Sequence, residues 1–183
     1  MCVDEKSRTD CRNQDSGAGG IQSEEENRET YSLALRKAMG FLAHRAHSTR
    51  QLADKLSRRF DRDTVKRVLD QLAREKLLDD FQFACEYARQ RLKRSPRSAL
   101  LVVNELGRRG VASGTADRAV GLVMSEEDLD EDGLAETTAR KKLAALRQAD
   151  RSEQIIKIFR FLSSRGFSGA TARRAIERTL GRA

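Results

Sequence analysis

LSRRF at 56–60, LGRRG at 106–110 and LSSRG at 162–166 are three versions of one pattern, set 50 and then 56 residues apart. The match extends beyond these letters. Leu56, Leu106 and Leu162 each follow an apolar residue by four positions (Leu52, Val102, Ile158) and precede an alanine or valine by nine or ten (Val65, Ala116, Ala172). Four residues make about one helical turn. Self-similarity at some fifty residues, carried on that periodicity, marks a repeated supersecondary unit. The chain reads as three copies of one short helical module.

Around each copy, apolar residues recur at helical spacing and capping signals divide them into threes. In the first module Leu35, Ala38, Phe41 and Leu42 mark a helix, and Ser48 with Gln51 forms a capping box before Leu52, Ala53 and Leu56. Asp61 then caps a helix presenting Val65, Val68, Leu69 and Leu72. In the second, Asp79 caps a helix bearing Phe83, Ala84, Tyr87 and Ala88. Ser95 and Pro96 are expected to open the next, through Val102 and Leu106 to Gly110, and Ser113 the one after, through Ala116 and Val123. The third follows the acidic stretch SEEDLDED (125–132), where Glu126, Glu127 and Asp128 are expected at a helix start. Its helices run through Ala139 and Leu143, through Ile158 and Leu162 to Gly166, and through Ala172 and Ile176 to Gly181. A long, medium, short order of helices is expected in each module.

Composition points the same way. Of 183 residues, 35% are charged and 38% hydrophobic, with 42 Ala or Leu against 13 Val or Ile, one proline and no tryptophan. That favours helix over strand. The expected fold is all-α, an elongated tandem array of three three-helix, helix-turn-helix-like repeats at 30–78, 79–124 and 125–183. Residues 1–29 hold four basic and eight acidic residues around SGAGG, and are expected to form a disordered polar tail. A module this small is marginal alone, so each repeat must lean on its neighbours, giving one long face rather than a pocketed globule.

No run approaches the ~20 apolar residues of a membrane span, and MCVDEKSRTD lacks the basic-then-apolar run of a secretory signal. A cytoplasmic protein is expected. Cys2, Cys11 and Cys85 form no CxxC or CxxH spacing and read as free thiols. His44 and His47 read as a surface pair. No Gly-rich phosphate loop or GxSxG occurs. Neither enzymatic activity, nor a cofactor, nor a metal site is expected.

From residue 31 onward the chain holds 32 basic against 20 acidic residues. Basic residues bunch at Arg58–Arg59, along RQRLKRSPR (89–97), at Arg108–Arg109, at Lys141–Lys142 and at Arg173–Arg174. Dipole complementarity at helix C-termini accounts for Arg59, Arg109 and Arg165. The run 89–97 is different: five cations with no acid gain little structurally and suit nucleic acid or an acidic protein. The candidate binding residues are Arg58, Arg59, Arg89, Arg91, Lys93, Arg94, Arg108, Arg109, Arg173 and Arg174. Phe81, Phe83 and Tyr87 are assigned to the core, since no strand presents them as a stacking platform.

STRQLADKL (48–56), VLDQLAREKLLDDFQFACEYARQRL (68–92), NELGRRGV (104–111) and IFRFLSSRGFSGATARRAIE (158–177) together resemble the RecX family of bacterial regulatory proteins. The resemblance spans about 150 residues, from near Ala34 to Leu180, and its most specific parts are LLDD with Phe83 and Tyr87, and the terminal RGFS (165–168). It implies an array, expected to be monomeric, that docks in the groove of the RecA filament on single-stranded DNA, with duplex DNA a further candidate partner. It also implies a restraining effect on RecA ATPase, strand exchange and recombination, within DNA repair. Lys76–Leu77 stands where the family often has glycine and an aromatic, and Ser95–Pro96 where a glycine commonly opens the next helix. Two other readings stand beside it. One is a stand-alone helix-turn-helix DNA-binding protein, although helix 114–123 carries Ala, Gly and Val around Arg118 rather than base-reading side chains. The other is a helical adaptor for acidic proteins.

Overall fold

The computed structural model describes residues 18–181, with side chains from residue 24 onward. Among the described residues there are nine α-helices and no strand. The first repeat comprises α1 (Ala18–His44), α2 (Thr49–Leu56) and α3 (Arg62–Arg74). The second comprises α4 (Asp80–Arg94), α5 (Ala99–Arg108) and α6 (Ser113–Glu126), and the third α7 (Glu131–Ala144), α8 (Arg151–Ser164) and α9 (Gly169–Leu180).

Local chemistry sets most of the helix starts. Ser48 and Gln51 form the expected reciprocal capping box, and Asp61 and Asp79 each accept two backbone N–H groups. Other expected boundaries move. Pro96 lies buried in the linker and α5 opens at Ala99, where the Ser98 side chain accepts from Leu101 N–H and the Ser98 N–H is taken by the Arg165 carbonyl of the next repeat. Ser113 does open α6 as expected, although the preceding Ala112 supplies no side-chain cap. Glu126 ends α6 instead of starting a helix, where the dipole disfavours it and cations on α4 compensate. The helix lengths, 27, 8 and 13, then 15, 10 and 14, then 14, 14 and 12, do not follow the long, medium, short order.

The expected disorder of 1–29 also needs correction, since α1 already runs from Ala18; residues 1–17 lie outside the described residues. Once Tyr31 and Ala34 dock on α3, extending the helix backwards adds one hydrogen bond per residue fixed. The Arg67 guanidinium helps hold the extension by donating to Asn27 Oδ1 at 3.0 Å and lying 4.7 Å from the centre of the Tyr31 ring. Lys76 adopts a left-handed φ of 56°, so the turn after α3 keeps the geometry of a glycine cap without the glycine.

Apolar burial divides the array in two. Ala34, Ala38, Leu52, Leu56, Val65, Val68, Leu72 and Leu78 form a core confined to the first repeat. A second core runs without a break from Ala84 on α4 to Leu180 on α9, so the second and third repeats share it. Leu52, Leu56, Leu106, Leu162 and Phe167 are all buried, as their place in the repeated pattern requires.

The junctions between repeats repeat as well. At the first, Ser48 Oγ donates to the Arg109 carbonyl, and Thr49 N–H donates to Asp80 Oδ1 at 2.7 Å. At the second, Ser98 N–H donates to the Arg165 carbonyl at 3.0 Å, and Ala99 N–H to Glu131 Oε1 at 2.7 Å. In both, the N-terminus of one repeat's second helix meets the C-terminal turn of the next repeat's second helix. A serine at the helix N-terminus donates to a carbonyl of the next repeat's C-terminal turn, through its hydroxyl at the first junction and its N–H at the second, and a carboxylate at the start of that repeat's first helix accepts the following N–H, so both helix ends are satisfied.

Each turn is made by a glycine with positive φ, Gly110 at 86° and Gly166 at 82°. A Cβ on Gly166 would stand 2.5 Å from Ser98 Oγ and 2.8 Å from Leu101 Cβ. Gly166→Ala is therefore expected to cost about 2 kcal/mol, from left-handed backbone plus displacement of the neighbouring repeat, and to lower the melting temperature by roughly 4–8 °C. Gly107→Ala, in the last turn of α5 with nothing within 4 Å of the new methyl, is the control and should be neutral or stabilising. Equal effects in thermal denaturation would contradict the junction account.

Candidate nucleic-acid interface

Basic side chains gather at three places, one on each repeat or its junction. On the first repeat, Lys37 and Phe41 from α1 with Lys55, Arg58 and Arg59 line a cleft of about 270 Å³ with no carboxylate from the described residues. Lys55 Nζ sits 4.5 Å from the centre of the Phe41 ring. Behind it, His47 Nδ1–H donates to the Arg45 carbonyl at 2.8 Å, leaving Nε2 to accept from Lys55 Nζ at 2.9 Å. Burial lowers the His47 pKa, helped by the Lys55 and Arg45 charges, so the ring stays neutral and orients the ammonium. His47 is thus buried rather than half of a surface pair with His44.

The second cluster surrounds Glu105, whose side chain is 11% exposed. Tyr87 Oη donates to Glu105, Arg91 Nε lies 3.2 Å from it, and Arg97 pairs with its other oxygen. Arg91 Nε also lies 2.8 Å from Tyr87 Oη, and Arg109 stacks 4.3 Å from the centre of the Tyr87 ring. Arg165 reaches across from the third repeat to Ser95 Oγ at 2.6 Å. Burial raises the Glu105 pKa, but the Tyr87 hydroxyl and then Arg97, Arg91 and Arg109 outweigh it and hold the carboxyl below its usual range. Burial lowers the Arg165 pKa, and repulsion from Arg97 and Arg91 adds to it. Four guanidinium groups around one carboxylate leave an excess of positive charge at the junction of the second and third repeats.

The third gathering is largely neutralised. Arg174 binds both oxygens of Asp132, at 2.7 and 3.0 Å, with Arg178 at 3.6 Å. Likewise Arg89 pairs with Glu126 at 3.0 Å and Glu127 at 3.2 Å, and Lys93 with Glu127 at 2.5 Å.

The structure therefore sorts the ten candidate cations. Arg58 and Arg59 share the first-repeat cleft, and Arg91 and Arg109 meet on Tyr87. Arg89, Lys93 and Arg174 spend charge on neighbouring acids. Arg94, Arg108 and Arg173 are exposed without an ion pair among the described residues. The sequence-based candidates missed Arg97 and Arg165, though Arg97 belongs to the basic run. Arg165 carries no sequence signal, because its part comes from a fold that sets it 70 residues away in sequence, against Ser95. Tyr87 is a partly buried hub for arginines, and Phe81 lies under Arg118 at 5.3 Å, so neither is simple core. No group of three or more metal-binding side chains occurs among the described residues, and no helix there is long and apolar enough to cross a membrane.

Residues 34–72, 79–120 and 130–176 match, in order, the family models for the first, second and third three-helix domains of RecX. A protein of Halorhodospira halophila named Regulatory protein RecX is 38% identical over 141 residues, covering 75% of this chain and 83% of that one. Another, from Corynebacterium efficiens and with the same name, is 33% identical over 162 residues, covering 85% and 76%. The crystal structure of RecX from Lactobacillus salivarius superposes with a TM-score of 0.69 at 20% identity, covering 83% of this chain and 97% of that one. A further RecX crystal structure gives 0.70 at 18% identity, with 88% and 78% covered.

Proposed function

Because the chain belongs to the RecX family of regulatory proteins, we propose that it binds in the groove of the RecA filament on single-stranded DNA and restrains RecA-dependent ATP hydrolysis, strand exchange and recombination. The observation that carries this reading is the distribution of charge: uncompensated cations lie on successive repeats of one array, in the Phe41 cleft and around Glu105. A filament repeats its phosphates and protomers along an axis, and an array meets such a partner at several points together. Linked contacts act at high effective concentration, so modest sites sum to firm binding.

The restraint is mechanical. One copy bridging neighbouring protomers while neutralising backbone phosphates opposes the protomer movements that strand exchange and nucleotide turnover require. The protein itself acts by binding, without chemistry of its own.

Titrating the protein into RecA-coated and naked single-stranded DNA tests this. ATP turnover and strand exchange are expected to fall as the filament saturates, at protein concentrations well below those that coat naked DNA. Unchanged turnover with binding demonstrated would refute the inhibitory reading, and equal affinity for naked DNA would favour a stand-alone DNA-binding protein.

A further inference from the structure

At the far end of the array, α7, α8 and α9 line an open cleft of about 700 Å³, within the size range of small-molecule sites. Its rim carries Arg140, Arg147 and Arg151, its wall Leu143 and Leu180, and no carboxylate among the described residues lines it. Arg140 is paired with Glu136, whereas Arg147 and Arg151 have no ion pair among the described residues. The loop bearing Arg147 is braced by Gln154, whose Nε2 donates to the Leu146 and Ala149 carbonyls at 3.1 and 3.0 Å.

Thr179 also lines the cleft. It is 4% exposed, and its Oγ1 is buried with no hydrogen-bond partner among the described residues. Buried Thr138, by contrast, donates to the Leu134 carbonyl at 2.7 Å. The internal repeat sharpens the contrast. Leu72 and Val123 stand seven residues after Val65 and Ala116, as Thr179 stands seven after Ala172, and both are fully buried aliphatics. The third repeat has placed a hydroxyl where its sister repeats place hydrocarbon, and an unpaired buried hydroxyl costs stability unless something uses it.

We propose that this cleft binds a nucleoside phosphate, with Arg147 and Arg151 on the phosphate, Leu143 and Leu180 against the base, and the Thr179 hydroxyl bonded to a polar edge. Guanidinium groups match phosphate oxygens in pairs. Inorganic phosphate would leave the apolar wall uncovered, and an acyl carboxylate would leave the hydroxyl unpaired. The nucleotide is either free in solution or an unstacked unit of a single strand; only the second source rests on the filament reading.

The test uses the full chain without RecA and the fluorescent 2-aminopurine deoxyriboside 5′-monophosphate, its unphosphorylated nucleoside, inorganic phosphate, polyglutamate, and oligothymidine with one internal 2-aminopurine. The monophosphate is expected to bind about tenfold or more tighter than the nucleoside, and Arg147→Ala with Arg151→Ala to remove that advantage with helicity unchanged. Thr179→Val should weaken the nucleotide by roughly two- to tenfold while raising the melting temperature, because the methyl suits a buried position that the hydroxyl does not. A purely structural Thr179 would not move the two readings in opposite directions. Binding of the free monophosphate assigns the site to free nucleotide, and a response from the oligonucleotide alone assigns it to the strand. Equal binding of nucleoside and nucleotide, equal displacement by inorganic phosphate or polyglutamate, or unaltered binding by either variant overturns the proposal. Since RecA is absent, none of these outcomes depends on filament inhibition.

Discussion

Glu105→Gln is expected to destabilise the fold by about 3 kcal/mol, because it removes the one carboxylate that compensates a largely buried arginine cluster. For a chain of this size that is a drop in melting temperature of roughly 6–12 °C. The same change is expected to tighten polyanion binding, since Arg91, Arg97, Arg109 and Arg165 are left to an external phosphate. Single-stranded DNA should therefore restore much of the lost stability by binding the folded state. The pH dependence has a definite sign. The fold holds the Glu105 carboxyl below its ordinary value, so its contribution is present above the unfolded value near about 4.3 and is lost as pH falls through the folded one. The acid limb of the stability profile should flatten in the glutamine variant. A variant with parental melting temperature and parental DNA affinity would show that the cluster is not a balanced charge unit.

Reversing Arg58, Arg59, Arg94 and Arg108 to glutamate together should weaken single-stranded DNA and RecA-filament binding by roughly a hundredfold or more at moderate salt. On single strands each phosphate contact contributes a slope of about −0.7 in log affinity against log salt, so losing four should flatten the dependence by roughly 3. These side chains are exposed and form no ion pair among the described residues, so stability should hardly change. Arg89→Glu with Lys93→Glu should do the reverse. Those cations face Glu126 and Glu127, and their reversal sets like charges across the α4–α6 contact, lowering stability more than the salt slope. Salt titrations with melting curves on both variants distinguish the two groups. Equal loss of affinity would mean that the internal pairs open on binding and that the unpaired cations have no special part.

The contrast between Arg89 and Arg94, five residues apart in one basic run, shows where legibility ended. Repeat number, helical class and the caps Ser48, Asp61 and Asp79 were readable, because helical periodicity and capping are local rules acting within a few residues, whereas the caps Ser98, Asp130, Asp150 and Ser168 were not picked out. Even so, proline misplaced one helix start, since the Ser98 cap and the next repeat's carbonyl decided where α5 begins. The basic run was readable as charge but not as free charge. Whether a cation is spent depends on which carboxylate the fold brings within 4 Å, and Glu105, Glu126 and Glu127 come from other helices. The sequence by itself determined three helical repeats, the caps of α2, α3 and α4 and a basic surplus, all consequences of spacing and composition along the chain. Only the tertiary structure decided that two repeats share one core, that helix ends join head to tail at the junctions, and which arginines remain available. Those outcomes are contacts between different helices, up to 70 positions apart, and a linear pattern carries no record of distances in space.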